Sequence, residues 1–116
     1  MERIIKICDK DYKMKASALT QFSYRNETGR SFLNDLKKLI KLDLDNIDID
    51  QIDKLDDITE LILQITYVMV KEADKTQTTN YEEFLGSIDN LFDDTEWLKQ
   101  VLQLACSPLS RQLQEN

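Results

Sequence analysis

Between positions 58 and 70, nine of thirteen residues are large and apolar. Ile58, Leu61, Ile62, Ile65 and Met69 make one helical stripe, and Leu63, Tyr67, Val68 and Val70 load the opposite side. A helix that is apolar nearly all round must lie in the middle of a fold. Asp56 or Asp57 is expected to open it, at the positive end of its dipole, and Lys71-Glu72-Ala73-Asp74-Lys75 to close it, with a polar loop over residues 76–79. Gln64 and Thr66 interrupt the run, and its core is about half the length a membrane span requires. Everything else in the chain has to be arranged to cover this segment.

The covering elements follow from local patterns. Residues 3–8 and 12–16 are rich in β-branched or aromatic residues, with Asp9-Lys10-Asp11 as a turn between them, and Met14 and Ala16 alternate with Lys13 and Lys15. That period of two predicts a β-hairpin over residues 3–16 with one wet face. Ser17 can cap a helix whose core face would be Leu19 and Phe22, ending at Gly29. Ser31 can cap a second, with Phe32, Leu33, Leu36, Leu39 and Ile40 as its stripe and Lys37, Lys38 and Lys41 outside. Thr79 with Glu82, or Asn80 with Glu83, offers a capping pair for a short helix bearing Tyr81, Phe84, Leu85 and Ile88. Asp93 or Asp94 would cap a last helix with Trp97, Leu98, Val101, Leu102 and Ala105 inward, broken by Pro108. Only two Gly and one Pro occur in 116 residues, which favours helix over loop-rich β structure. The expected fold is mainly α (α+β): one domain over residues 1–108, with hairpin 3–16, then a helical part 17–108 of about five helices around the long central one, and a tail at 109–116.

Charge is unevenly spread. Residues 1–41 sum to +5, residues 42–57 to -6 and residues 58–116 to -6, for a net charge of -7. Phosphate backbones repel the acidic part, and the basic start lacks aromatic interleaving, so no nucleic-acid partner is expected. Residues 42–57 alternate Asp with Leu or Ile, and a DxD run invites comparison with a calcium loop. From Asp43 the sixth and twelfth positions are Asp48 and Lys54, and from Asp48 they are Asp53 and Thr59; a calcium loop needs Gly and Glu there. A solvated connector pinned by its Ile residues is the expectation.

Histidine is absent, which excludes Ser-His-Asp, Cys-His and His-metal chemistry within this chain. Cys8 and Cys106 are far apart and fit two semi-buried free thiols in a reducing cytosol. Gly29 and Gly86 are too distant to cradle a phosphate, and the paired acids Glu82/Glu83 and Asp93/Asp94 suit helix first turns better than acid–base catalysis. The expectation is a non-enzyme with no metal and no cofactor. Met1-Glu2-Arg3-Ile4-Ile5-Lys6 has no apolar core of a signal peptide, so a soluble, cytoplasmic protein with no membrane partner is expected.

Three stretches, Asp11-Tyr12-Lys13-Met14-Lys15-Ala16-Ser17, Tyr24-Arg25-Asn26-Glu27-Thr28-Gly29-Arg30 and Asn80-Tyr81-Glu82-Glu83-Phe84-Leu85, taken in this order in a chain of this size, resemble the tail assembly chaperones of siphophages and prophages of Gram-positive bacteria. The resemblance spans nearly the whole chain and contains no catalytic signature. It implies a helper absent from the mature virion that keeps the helical tape measure protein soluble until tail tube subunits polymerise around it. Members are commonly the shorter product of a gene pair, the longer arising by ribosomal frameshift. Two other classes compete with this one: an acidic DNA mimic that blocks a nucleic-acid enzyme, and a structural tail completion protein, which purified virions would contain. For the partner surface, Leu104, placed off the Trp97/Val101 stripe, and the tail residues Leu109 and Leu113 are the candidates. The basic start and acidic remainder further suggest a homo-oligomer built head to tail.

Overall fold

The computed structural model describes residues 1–41, 52–89 and 96–109, with side chains of 52–57 left aside. Strand β1 (Glu2–Ile7) pairs antiparallel with β2 (Lys10–Lys15), in a register running from Glu2 opposite Lys15 to Ile7 opposite Lys10. The turn is Cys8-Asp9, one residue earlier than expected and only two residues long. Both residues are left-handed, with φ 50 and 66, the hand that matches strand twist in a two-residue hairpin. Lys10 and Asp11 therefore belong to β2. Ile5, Ile7, Tyr12, Met14 and Ala16 point into the core, as the alternation required. Cys8 is exposed and Cys106 buried, so the two cysteines are not alike.

Helix α1 (Ala18–Thr28) starts at Ser17, whose hydroxyl accepts from the Leu19 N–H while Thr20 accepts from the Ser17 N–H at 2.9 Å. It stops at Gly29, with φ 74, a conformation costly for residues with a Cβ. Its face is the reverse of the expected one: Leu19 and Phe22 are 57% and 59% exposed, while Thr20 and Tyr24 are buried. Helix α2 (Phe32–Ile40), capped by Ser31, buries Phe32, Leu36 and Leu39 and leaves Leu33 40% exposed.

Helix α3 (Ile52–Ala73) begins before the expected Asp56 or Asp57. Every residue from 65 to 70 is buried, Thr66 included, and the Thr66 hydroxyl is satisfied by donating to the Ile62 carbonyl at 2.6 Å. A single 3-10 turn (Lys75–Gln77), capped by Asp74, leads through Asn80, the N-cap that accepts from Glu83 N–H, into α4 (Tyr81–Gly86). Helix α5 (Glu96–Cys106) ends before Pro108. Of the connector expected over 42–57, residues 52–57 are instead the first turns of α3; residues 42–51 and the caps expected at Asp93 or Asp94 lie outside the described residues.

Helix α3 packs under β2 and against α1, α2, α4 and α5, while α5 underlies β1. One cluster of buried residues joins both strands and every helix. Tyr12 meets Phe84 edge-on at 5.7 Å between ring centres, and Tyr67 meets Tyr81 at 5.2 Å, arrangements that favour aromatic pairs beyond their buried area. The long helix is thus the hub that its composition demanded.

Candidate functional site

Burial of α1 through its polar side explains why its apolar side is left outside. Thr20 donates to Glu72 Oε1 at 3.0 Å and Ser17 to Glu72 Oε2 at 3.1 Å, so one carboxylate on α3 holds the first turn of α1. Further along, the buried Tyr24 hydroxyl donates to Asp35 Oδ2 at 2.5 Å and accepts from Arg30. Arg30 also bonds Asp35 at 3.0 Å and reaches Gln64 on α3. Buried polar groups are tolerated when they are paired, and this network pairs Tyr24, Arg30, Asp35 and Gln64 from three helices and the α1–α2 loop. Rotating α1 to bury Leu19 and Phe22 would break the bonds that Thr20 and Tyr24 make.

The network has electrostatic consequences. Burial, together with the Asp35 hydrogen bond, raises the Tyr24 phenol well above its ordinary value, and Asp35 likewise raises the Arg30 guanidinium. Burial, with Glu60 nearby, pushes Tyr81 up to about 12. An unfolded tyrosine titrates near ~10, so the fold holds both phenolic protons more tightly than the unfolded chain. The resulting stability is complete below about pH 10 and is lost as pH rises from there towards the folded values. Urea midpoints measured from neutral to strongly alkaline pH should fall in that window, and less steeply in Tyr24→Phe; an equal fall in the variant would show that Tyr24 is not linked to folding.

On the outer side of α1, Leu19 and Phe22 form a ridge, one helical turn apart. Between α1 and α3 runs a groove of about 350 Å³ lined by Leu19, Ser23, Tyr67 and Val68, with Lys71 and Glu72 at its edge. Between α1 and α2 runs another of about 420 Å³, lined by Phe22, Gly29, Phe32 and Leu33, with Arg25 the charged residue beside them. A ridge between two grooves is the relief into which a second helix packs. Among the described residues no group of three or more His, Cys, Asp or Glu could hold a metal, and no helix is long and apolar enough to cross a membrane.

No protein-family model, curated protein or solved structure matches this chain. In the three stretches that carry the chaperone resemblance, the residues have structural roles. Tyr12, Met14, Ala16 and Ser17 build β2 and the α1 cap; Tyr24, Gly29 and Arg30 build the polar network and the α1 stop; Asn80 and Phe84 cap and anchor α4. These motifs specify a fold, and the exposed apolar ridge lies between two of them.

Of the three leucines expected to face a partner, two lie among the described residues, one buried and one half-buried. Leu104 is 2% exposed: seven residues after Trp97, it completes two helical turns and returns to the core stripe instead of lying off it. Leu109 is half-buried and packs against the core. Leu113 lies outside the described residues. The ridge formed by Leu19, Phe22 and Leu33 replaces them as the candidate surface, with one sequence signal that could have found it: Tyr24, Arg30 and Asp35 are spaced to meet, and satisfying them turns Leu19 outward.

Proposed function

We propose that this protein is a non-catalytic tail assembly chaperone of a siphophage or prophage, which binds apolar helical segments of a tape measure protein and keeps them soluble until the tail tube protein polymerises. The observation that carries the reading is the exposure of Leu19 and Phe22 on a helix whose polar side is buried. Large apolar side chains held outside by a satisfied polar network mark a surface built to be covered by something else. A partner helix presenting anchors at i, i+3, i+4 and i+7 would fit along the ridge, and the resemblance supplies the kind of protein that presents such helices. The protein acts in the cytoplasm of the bacterial host and is absent from the virion.

The test is co-expression with the tape measure protein encoded by the same phage or prophage. The reading requires the soluble fraction of the tape measure protein to rise when this chain is present and the chain to be missing from purified virions. A tape measure protein equally soluble with and without it, or a stoichiometric copy in virions, would remove the chaperone reading and favour a structural tail subunit.

A further inference from the structure

The hairpin has two outer edges, and the structure treats them differently. In a two-residue hairpin the residues flanking the turn form a hydrogen-bonded pair, and such pairs alternate along the ladder. Ile7–Lys10, Ile5–Tyr12 and Arg3–Met14 are therefore bonded pairs, and the series continues to Met1 and Ala16, which exchange two bonds of 2.9 Å each. The residues between them turn their backbone groups away from the hairpin: Asp11, Lys13 and Lys15 on β2, and Glu2, Ile4 and Lys6 on β1. On the β2 side, the Gln77 side-chain amide closes the edge, accepting from Lys13 N–H and donating to Lys13 C=O, both at 2.8 Å. On the β1 side, nothing among the described residues pairs with Glu2, Ile4 or Lys6. An unpaired strand edge is a template for another strand, and β1 carries Ile4, 61% exposed, at its centre.

The side chains along that edge select the occupant. Glu2, Ile4 and Lys6 share the solvent face in the order acid, apolar, base. An antiparallel copy of the same strand centred on Ile4 brings Glu2 opposite the partner's Lys6, Ile4 opposite the partner's Ile4, and Lys6 opposite the partner's Glu2. Parallel pairing in register would instead oppose like charges, which is unfavourable directly across a sheet. We propose that the protein forms a two-fold homodimer by antiparallel pairing of β1 with the partner's β1, making one four-stranded sheet of two hairpins. In this arrangement each of the three outward residues exchanges backbone bonds with its opposite number, and the exposed Ile4 is covered. The contact is isologous and closes on itself, in contrast to the head-to-tail chain that the charge distribution alone suggests. It stands or falls independently of the chaperone reading, since the α1 ridge takes no part in it.

Sedimentation equilibrium at tens of micromolar tests it, with circular dichroism confirming that each variant is folded. The wild-type chain should sediment at twice 13.6 kDa. Ile4→Lys, on an exposed side chain, should weaken association at least tenfold by setting like charges across the two-fold axis. Glu2→Lys should weaken it and the double reversal Glu2→Lys/Lys6→Glu should restore it, which only this antiparallel register allows. Register is read directly by mild oxidation in a Cys8→Ser background. Ile4→Cys should cross-link to dimer, whereas Glu2→Cys should not, because those two positions stand roughly 13 Å or more apart along the strands and a disulfide spans at most about 7 Å between Cα atoms. A monomer at these concentrations would overturn the proposal, and so would a dimer that survives Ile4→Lys and fails to cross-link through position 4.

Discussion

Ile65→Ala is expected to destabilise the fold by about 2–5 kcal/mol, the range for removing most of a large aliphatic side chain from a packed interior. Ile65 is fully buried at the start of the run from 65 to 70, where α3 has no wet face at all. The cavity it leaves would be walled by elements that α3 holds together, β2 and α1 among them, so little collapse is available to fill it. Domains of this size have total stabilities of about 5–15 kcal/mol, and a loss at the upper end would approach complete unfolding at physiological temperature. Urea melts of the two proteins give the number. A change below ~1 kcal/mol, no more than an Ile→Val trim commonly costs at a packed site, would mean that α3 is not the hub.

The second large effect is functional and should leave stability nearly untouched. Leu19→Ser with Phe22→Ser is expected to abolish rescue of the tape measure protein and weaken binding of its helical segments by tenfold or more. Covering one large apolar side chain contributes roughly 1.5–3 kcal/mol, and each 1.4 kcal/mol is about tenfold in affinity, so losing both anchors outweighs any rim contact. Because both side chains already face water, the melting midpoint should change little, which separates this outcome from unfolding. Full rescue by the double variant in the same co-expression assay would move the binding surface elsewhere.

Much of the fold was legible because its strongest signals are local. The hairpin, the Ser17, Ser31 and Asn80 caps, the Gly29 stop and the central helix each depend on residues near one another in sequence, and each is found in place. The turn at Cys8-Asp9 was harder to read, because neither residue is a glycine and the pairing register that requires it is set by the core. Helix α1 misled for a physical reason. Periodicity ranks side chains by apolarity, so Leu19 and Phe22 claimed the inside, whereas the inside went to Thr20 and Tyr24, whose partners Glu72, Asp35 and Arg30 come from elsewhere in the chain. Leu104 misled in the opposite sense: Trp97 and Val101 define its stripe, and the two-turn return to that stripe encloses it. The candidate site was hard to read for the same reason that α1 was, since the ridge exists only because a polar network, signalled in the sequence by the spacing of Tyr24, Arg30 and Asp35 alone, won the interior.

The α1 ridge is the surface proposed to meet a tape measure helix. Amide NMR shifts measured while peptides from the apolar helical segments of that protein are titrated into the isotope-labelled chain test it directly. Changes concentrated on α1 and the first turn of α2, around Leu19, Phe22 and Leu33, are the predicted result. Changes concentrated on α5 and Leu109, or no changes at saturating peptide, would contradict it.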